Sequence, residues 1–222
     1  MLPKELALVL RTELGEDWQQ HFSQFTFVPM AAASIGQVHL AHHDNGQKLA
    51  VKVQYPGIRQ SIDSDVDNVA MLLKISGLVP EGFDYRSVLE EAKLQLHQEA
   101  DYLQEAAYLQ RYQALLAADP HFVLPKLYPE LSTSQLMTMS FVEGVPVEAL
   151  LAQPQSLRDR VMSLLFTLLF KEIFDFQLVQ TDPNFANYRF NLQTQQLVLL
   201  DFGACRDYSS QVVNDSTGSR GV

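Results

Sequence analysis

Residues 180–187 read Gln-Thr-Asp-Pro-Asn-Phe-Ala-Asn, and residues 201–203, which follow an apolar run, read Asp-Phe-Gly. Asp182 and Asn187 are separated by four residues, and Asp201 opens the second motif. Carboxylate and amide oxygens bind Mg²⁺, which bridges phosphate groups, while a further carboxylate can accept a proton from a hydroxyl. The two motifs therefore predict phosphoryl chemistry, with Asn187 and Asp201 as metal ligands and Asp182 as the catalytic carboxylate.

Upstream, residues 31–38 read Ala-Ala-Ala-Ser-Ile-Gly-Gln-Val, which fits the G-x-G-x-x-G-x-V spacing of a kinase phosphate loop. Gly36 and Val38 match that pattern, whereas Ala31 and Ala33 occupy its first two glycine positions. Glycine permits φ > 0 and close approach of backbone N–H groups to phosphates, so the alanines predict nucleotide binding in an altered form. Taken alone, the stretch fits an alanine-rich hairpin turn equally well.

Lys52 lies in the alternating sequence Leu49-Ala-Val-Lys-Val53. A period of two places Lys52 on the strand face opposite to the apolar residues, under the predicted loop, where it can reach the α- and β-phosphates. A strand lysine without such a loop is expected to face water. Asp101 and Glu105 are four residues apart on a predicted helix, so either carboxylate can meet Lys52.

The hydrophobic patterns predict both helices and strands between about residues 3 and 200. A turn at Asp44-Asn-Gly46 joins two strands into a hairpin, which indicates an antiparallel meander. The predicted helices cover residues 3–21, 86–118 and 154–176, and the predicted strands or extended segments cover 25–28, 37–42, 48–54, 136–142, 187–188 and 196–200.

The motifs follow one another in the order of a protein kinase: the loop, the lysine, the acidic helix, the Asp/Asn pair and the Asp-Phe-Gly. We therefore predict an α+β, protein-kinase-like bilobal fold, with an antiparallel-sheet N-lobe and an incomplete helical C-lobe. The predicted boundaries are 1–138 for the N-lobe with its long acidic helix, 139–208 for the hinge and partial C-lobe, and 209–222 for a disordered tail.

Residues 139–144, Met-Ser-Phe-Val-Glu-Gly, resemble a kinase hinge. In this interpretation Met139 is the gatekeeper, and the backbone of Phe141 and Val142 is offered to adenine. An ordinary strand end explains the same residues.

Composition restricts the class of partner. The 222 residues are 47% hydrophobic, enough for a sizeable core, and the formal net charge is −10. This charge argues against a nucleic-acid binder and against electrostatic docking to anionic lipid. The single cysteine, Cys205, excludes a disulfide framework and is expected to be a small buried apolar residue. The apolar run 161–170 predicts a buried helix, too short to span a bilayer.

Four segments together resemble the UbiB-type (ABC1/aarF-like) atypical kinases, specifically the mitochondrial ubiquinone-biosynthesis members. These segments, within a similarity covering about residues 2–208, are 31–39, 51–57, 99–105 and 180–187. The resemblance implies that Lys52 is the ATP lysine and Glu105 its helix partner. It also implies that Glu99 and Asp101 are the family's E-x-D acids on the substrate side.

The same resemblance implies binding of ATP with Mg²⁺, association with the inner mitochondrial membrane and lipid precursors, and assembly of the ubiquinone-synthesising protein complex. It favours ATPase activity over protein phosphorylation. Mitochondrial localisation is expected from the family alone, because no targeting segment is visible in the sequence.

Two departures from the family pattern accompany this expectation. The chain begins after the family's K-x-G-Q helix and ends before an Ala-Pro-Glu segment, so we expect a truncated product in which residues 161–170 lose part of their apolar cover. A non-catalytic, nucleotide-dependent module that recognises lipid or protein is the alternative. An ordinary protein kinase is disfavoured by Ala31, Ala33 and the lack of His-Arg before Asp182.

Overall fold

The computed structural model describes residues 1–33, 35–76, 84–182 and 184–208, which form two compact units. The first unit comprises Met1–Gln104 and Leu127–Phe141, and the second comprises Glu105–Lys126 and the chain from Val142 onward. The division predicted at residue 138 stays a prediction, although the compact units differ from it by placing residues 105–126 in the second unit. The tail predicted over 209–222 lies outside the described residues.

The first unit is built on an antiparallel sheet with the strand order β1-β3-β4-β6, and β2 pairs with β3. The long β3–β4 hairpin confirms the predicted meander, and Gly46 in its turn has a φ of +81°, a conformation that glycine adopts readily. The strands are β1 (Gln24–Phe25), β2 (Ala31–Ala32), β3 (Gly36–His42), β4 (Lys48–Gln54) and β6 (Leu136–Ser140).

One face of this sheet carries the hydrophobic core of the first unit. Alternate residues of β4 are fully buried, and they pack in one cluster with Leu6 and Leu10 of helix α1 (Pro3–Leu14) and with Trp18. The prediction of one helix over 3–21 is wrong beyond Leu14. Gly15 adopts a φ of +92°, which ends α1, and a separate 3₁₀ turn covers Trp18–His21.

Helices α2 (Ile58–Ser76), α3 (Tyr85–Glu99) and α4 (Tyr102–Leu115) follow β4. No element was predicted for α2, and the single helix predicted over 86–118 is wrong because the chain breaks at Ala100–Asp101. Asp101 explains the break, since its side chain accepts a hydrogen bond at 3.1 Å from the Gln104 N–H and caps the start of α4.

The second unit contains two small sheets and helix α5 (Gln155–Phe170). One sheet has the order β5-β10-β9-β7, in which only the β5–β10 pair is parallel, and β8 pairs antiparallel with β11. The strands are β5 (Phe122–Val123), β7 (Val145–Pro146), β8 (Leu178–Gln180), β9 (Tyr188–Asn191), β10 (Gln196–Leu199) and β11 (Cys205–Asp207).

Helix α5 is buried on one face only. Val161, Leu164 and Leu168 are buried, whereas Phe166 and Phe170 are more than half exposed. The prediction of a buried helix over 161–170 is therefore correct for that one face. Cys205 is buried, as predicted. Within the described ranges, no helix combines the length and the hydropathy needed to cross a bilayer.

Candidate functional site

Three of the predicted nucleotide-binding residues share the sheet face opposite to the core of the first unit. Directly paired residues on neighbouring strands point to the same face. Lys52 pairs with Val38 on β3 and with Met137 on β6, and Met139 pairs with Ala50, two residues before Lys52. The structure therefore brings Val38, Lys52 and Met139 onto one face of the sheet. The alternating sequence of β4 had predicted only that Lys52 lies on this face.

Lys52 is held in a buried and aromatic environment. Its side chain is largely buried, and its Nζ lies 5.6 Å from the centre of the Tyr102 ring at the start of α4. An ammonium group over a ring face is attracted by the ring quadrupole. Tyr102 thus supplies a contact to the lysine that the sequence pattern did not identify.

The loop before β3 differs from the glycine-rich prediction in its backbone. Ala31 pairs with Val38, and the Ala33 N–H donates to the Gly36 carbonyl at 2.9 Å, which closes the turn. Gly36 has no positive φ, so its backbone conformation alone does not require glycine. A Cβ at Gly36 would lie 2.3 Å from the Val53 carbonyl oxygen, so close packing of β3 on β4 requires the glycine.

The predicted hinge begins at the end of β6. Met139 is buried, and the Phe141 N–H donates to the Lys48 carbonyl at 2.9 Å. The boundary between the two compact units falls between Phe141 and Val142, inside the predicted hinge. The Phe141 N–H is thus used within the sheet, and adenine recognition by Phe141 and Val142 stays a prediction.

The predicted E-x-D acids lie at the junction of α3 and α4. Glu99 is half-buried, and a carboxylate oxygen of Asp101 lies 3.6 Å from a guanidinium nitrogen of Arg59 on α2. Asp101 therefore has a cationic partner that the sequence did not indicate. The substrate-side role of both acids stays a prediction.

Glu105 is buried in the second unit. Its Oε1 accepts a hydrogen bond at 3.4 Å from the Phe202 N–H, which places it beside the Asp-Phe-Gly motif. Lys52 belongs to the first unit, so the predicted pair of Lys52 with Glu105 stays a prediction.

The catalytic-loop motif forms a hydrogen-bonded pair. The Asn187 amide nitrogen donates to Asp182 Oδ2 at 3.0 Å. An ionised carboxylate only accepts hydrogen bonds, so this contact fixes the orientation of the amide and turns its oxygen away from Asp182. That oxygen is the atom that a metal ion would use.

Gln180 connects this pair to the second motif. Its amide nitrogen donates to the Asp201 carbonyl at 2.9 Å, and its amide oxygen accepts from the Asp182 N–H at 3.2 Å. The Asp201 carboxylate accepts from the Gly203 N–H at 3.0 Å. The sequence motif gave no role to Gln180, which only its tertiary contacts reveal.

Backbone contacts strengthen the same connection. The Thr181 N–H donates to the Ala204 carbonyl at 3.0 Å, and the Leu200 N–H donates to the Asn187 carbonyl at 3.0 Å. The first bond continues the β8–β11 pairing, in which Gln180 faces Cys205, and the second continues the β9–β10 pairing. Asp182, Asn187 and Asp201 are therefore brought together by the local hydrogen bonding of the second unit.

The oxygen atoms of Asn187 and Asp201 suit Mg²⁺, which keeps phosphate and water ligands, better than a metal ion bound by protein ligands alone. In the part of the chain that the structure describes, no group of three or more His, Cys, Asp or Glu residues is arranged to hold a metal ion. Mg²⁺ is commonly bound through one or two protein oxygens plus phosphates and water. The amide oxygen of Asn187 and the carboxylate of Asp201 fit that requirement.

Comparison with known proteins agrees with this geometry. Residues 1–217 match the ABC1 atypical kinase-like domain. The chain is 41% identical over 213 residues to the mitochondrial atypical kinase COQ8 of Saccharomyces cerevisiae, covering 96% of this chain and 42% of that protein. It is 42% identical over 204 residues to the mitochondrial atypical kinase COQ8B of Danio rerio, covering 92% of this chain and 33% of that protein. The chain thus spans less than half the length of these relatives.

Two solved structures share the fold. The Rv3197–erythromycin complex from Mycobacterium tuberculosis superposes with a TM-score of 0.78 at 29% identity, covering 93% of this chain and 52% of that chain. The Rio2 kinase from Chaetomium thermophilum superposes with a TM-score of 0.51 at 13% identity, covering 90% of this chain and 52% of that chain. The α+β, kinase-like fold is confirmed, and the chain belongs to the ABC1 atypical kinase-like domain family.

Proposed function

We propose that this chain binds ATP with Mg²⁺ and acts as an atypical kinase or ATPase that supports ubiquinone biosynthesis in mitochondria. The observation that carries the proposal is a set of hydrogen bonds that links Asn187 to Asp182 and Asp182 to Gln180. The amide nitrogen of Gln180 in turn donates to the Asp201 carbonyl at 2.9 Å. Family membership and the mitochondrial COQ8 relatives support the pathway and the compartment.

Each reacting group has a residue assigned to it in this proposal. Lys52 contacts the α- and β-phosphates with Glu105 as its partner, and the sheet face with Val38 and Met139 contacts adenine. Ala31, Ala33 and Gly36 cover the phosphates, with Phe141 and Val142 at the adenine edge. Asn187 and Asp201 would hold Mg²⁺, which when bound would neutralise phosphate charge, and Asp182 would accept the proton of the attacking hydroxyl or water.

Protein partners from the ubiquinone-synthesising complex and lipid precursors complete the proposal. Glu99 and Asp101 lie on the side that meets these partners. Asp101 also contacts Arg59 of α2 in this region.

The first experiment measures thermal unfolding with and without Mg-ATP. A ligand that binds only the folded state stabilises it, by about 2.7 kcal/mol at a concentration of 100 times its Kd. The stabilisation should disappear in Lys52→Ala and Asp201→Asn and persist in Lys4→Ala and Asp175→Asn, whose side chains are exposed on other surfaces. No stabilisation of the wild type would contradict nucleotide binding.

A second experiment separates catalysis from nucleotide sensing. Asp182→Asn should retain the thermal stabilisation by Mg-ATP and lose turnover, because Asp182 is assigned to the proton transfer and not to binding. Turnover that is absent in the wild type, with stabilisation intact, would favour the non-catalytic module that recognises lipid or protein.

A further inference from the structure

Glu172 is a buried carboxylic acid outside the predicted site. It lies in a π-helical turn, Lys171–Phe176, that follows α5, and its side chain is only 3% exposed. Phe174 of the same turn is exposed, so the turn directs an acid inward and an aromatic ring outward. Single π-helical turns of this kind occur often at functional sites.

Two segments of the second unit converge on the Glu172 carboxyl. The Tyr112 hydroxyl on α4 donates to Glu172 Oε1 at 2.9 Å, and the backbone of Gln180 on β8 hydrogen-bonds to the same carboxyl. The Tyr112 hydroxyl also lies 3.2 Å from the Leu178 carbonyl of β8. The Glu172–Tyr112 pair therefore joins α4 to β8 through buried polar contacts.

Both ends of this connection lead to residues assigned to catalysis. Asp182 follows Gln180 by two residues, and its N–H is bound by the Gln180 side chain. The Tyr112 ring packs on the Phe202 ring with centroids 5.0 Å apart, next to Asp201. The carboxyl of Glu172 thus contacts both Gln180, which binds Asp182, and Tyr112, which packs on Phe202 of the Asp-Phe-Gly motif.

Stability alone does not explain an acid at this position. Burial raises the pKa of Glu172 to about 7, although the hydrogen bonds from Tyr112 and Gln180 act in the opposite direction. Its titratable neighbours are Tyr112 from α4, Tyr188 from β9 and Cys205 from β11, and burial raises the pKa of each of them as well. An apolar side chain of similar size would avoid the cost of burying the carboxyl.

We propose that Glu172 is a positioning residue, which with Tyr112 fixes strand β8, and through it Asp182, against α4 and Phe202. The inference rests on the proposed function only in naming Asp182 as the catalytic residue. Glu172 acts through backbone and phenol contacts and does not itself touch nucleotide.

The test combines amide hydrogen exchange with kinetics for Glu172→Leu, Glu172→Gln and Tyr112→Phe. Leucine has a similar side-chain volume but removes the hydrogen bonds with Tyr112 and the Gln180 backbone. Glutamine keeps the side-chain length and an acceptor oxygen. Tyr112→Phe keeps the ring on Phe202 and removes only the hydroxyl. Asp175→Leu, at an exposed acid of the same turn, is the matched control.

We expect exchange about tenfold faster in peptides covering β8 and β11 for Glu172→Leu and Tyr112→Phe, with β3 and β4 unchanged. We expect kcat for Mg-ATP to fall about tenfold or more in both variants, with KM changed less than about twofold. Glu172→Gln should restore most of both properties, and Asp175→Leu should resemble the wild type.

Unchanged exchange at β8, or faster exchange spread evenly over the second unit, would overturn the inference, as would a kcat loss that only follows the unfolded fraction. If Glu172→Leu fails to fold, Tyr112→Phe decides the question alone. A wild type without turnover would contradict the proposed function, while the exchange measurement would still decide the role of Glu172.

Discussion

The side-chain amide of Asn187 donates to the carboxylate of Asp182 at 3.0 Å, so the residue assigned to the metal also orients the residue assigned to the proton. This double role makes two substitutions of Asn187 differ. Alanine removes the metal oxygen and the contact to Asp182, whereas aspartate supplies an oxygen ligand but repels Asp182.

Asn187→Ala should raise the Mg²⁺ concentration needed for stabilisation by ATP by about 10- to 100-fold, a typical effect of losing a metal-site contact. Asn187→Asp should keep Mg²⁺-dependent stabilisation and lose turnover. Thermal unfolding across a Mg²⁺ titration and steady-state kinetics measure the two properties. Equal loss of both properties in the two variants would contradict the assigned double role.

Gly36 should be intolerant of a methyl group for a packing reason. A Cβ there would meet the Val53 carbonyl oxygen at 2.3 Å, and an overpacked site of this kind costs about 1–3 kcal/mol. Gly36→Ala should therefore lower the free energy of unfolding by about that amount in urea titrations. Ala33→Gly, which introduces the glycine of the protein-kinase loop pattern without such a clash, should change it far less. A fully stable Gly36→Ala would contradict the strand register.

Asp101 combines a helix cap with a charge, and two substitutions separate them. Asp101→Ala removes the cap of α4 and should cost about 1 kcal/mol of unfolding free energy, within a range of about 0.5–2 kcal/mol. Asp101→Asn keeps a capping oxygen and removes the charge. It should stay within about 0.5 kcal/mol of the wild type, because the contact with Arg59 is largely exposed.

If Asp101 acts on the substrate side through its charge, Asp101→Asn will alter activity while leaving stability intact. Activity that falls only in Asp101→Ala would assign the residue a structural role. Arg59→Gln, which removes the partner charge without touching the cap, is the control.

The burial of Glu172 gives a defined pH dependence of stability. Its pKa rises from an ordinary value of 4.5 to about 7 in the folded protein, so between these values the folded chain holds a proton that the unfolded chain has released. The free energy of unfolding therefore falls as pH rises through this window, by about 1.4 kcal/mol per pH unit and about 3 kcal/mol in total.

Glu172→Gln has no such proton. Urea unfolding at about pH 5 and about pH 8 should show the wild type losing about 3 kcal/mol relative to Glu172→Gln. The same pH dependence in both proteins would show that Glu172 titrates normally. Asp175→Asn controls for loss of an acid from the same turn.

Sequence patterns predicted the β3–β4 hairpin and the two motifs, whose formation depends on residues close together along the chain. Alternating residues in β3 and β4 and the Asp-Asn-Gly turn predicted the hairpin, since strand faces follow a period of two and the turn favours φ > 0. Spacing in the two motifs predicted that Asp182, Asn187 and Asp201 act together, and hydrogen bonds link them in the structure, while their roles stay predictions.

Features that depend on tertiary contacts were not predicted. Helix α2 buries only Ile62 and Val66, so its apolar stripe is too weak to stand out from the charged residues around it. The break before α4 depends on a cap at Asp101 that helix propensity does not reveal. The inward orientation of Glu172 depends on the π-helical turn, and glutamate in a helical sequence ordinarily predicts an exposed side chain.

Helices α2 and α3 are held together mainly by polar contacts, which affects how firmly they associate. Helix α3 has no buried residue, and contacts between the two helices include an ion pair of Asp63 with Lys93 and a hydrogen bond of Asp63 with His97, in which the Asp63 side chain is more than half exposed. Such contacts weaken as ionic strength rises, and few apolar side chains replace them. Separating the two helices should therefore cost less free energy than opening the sheet, and added salt should lower that cost further for this helical pair.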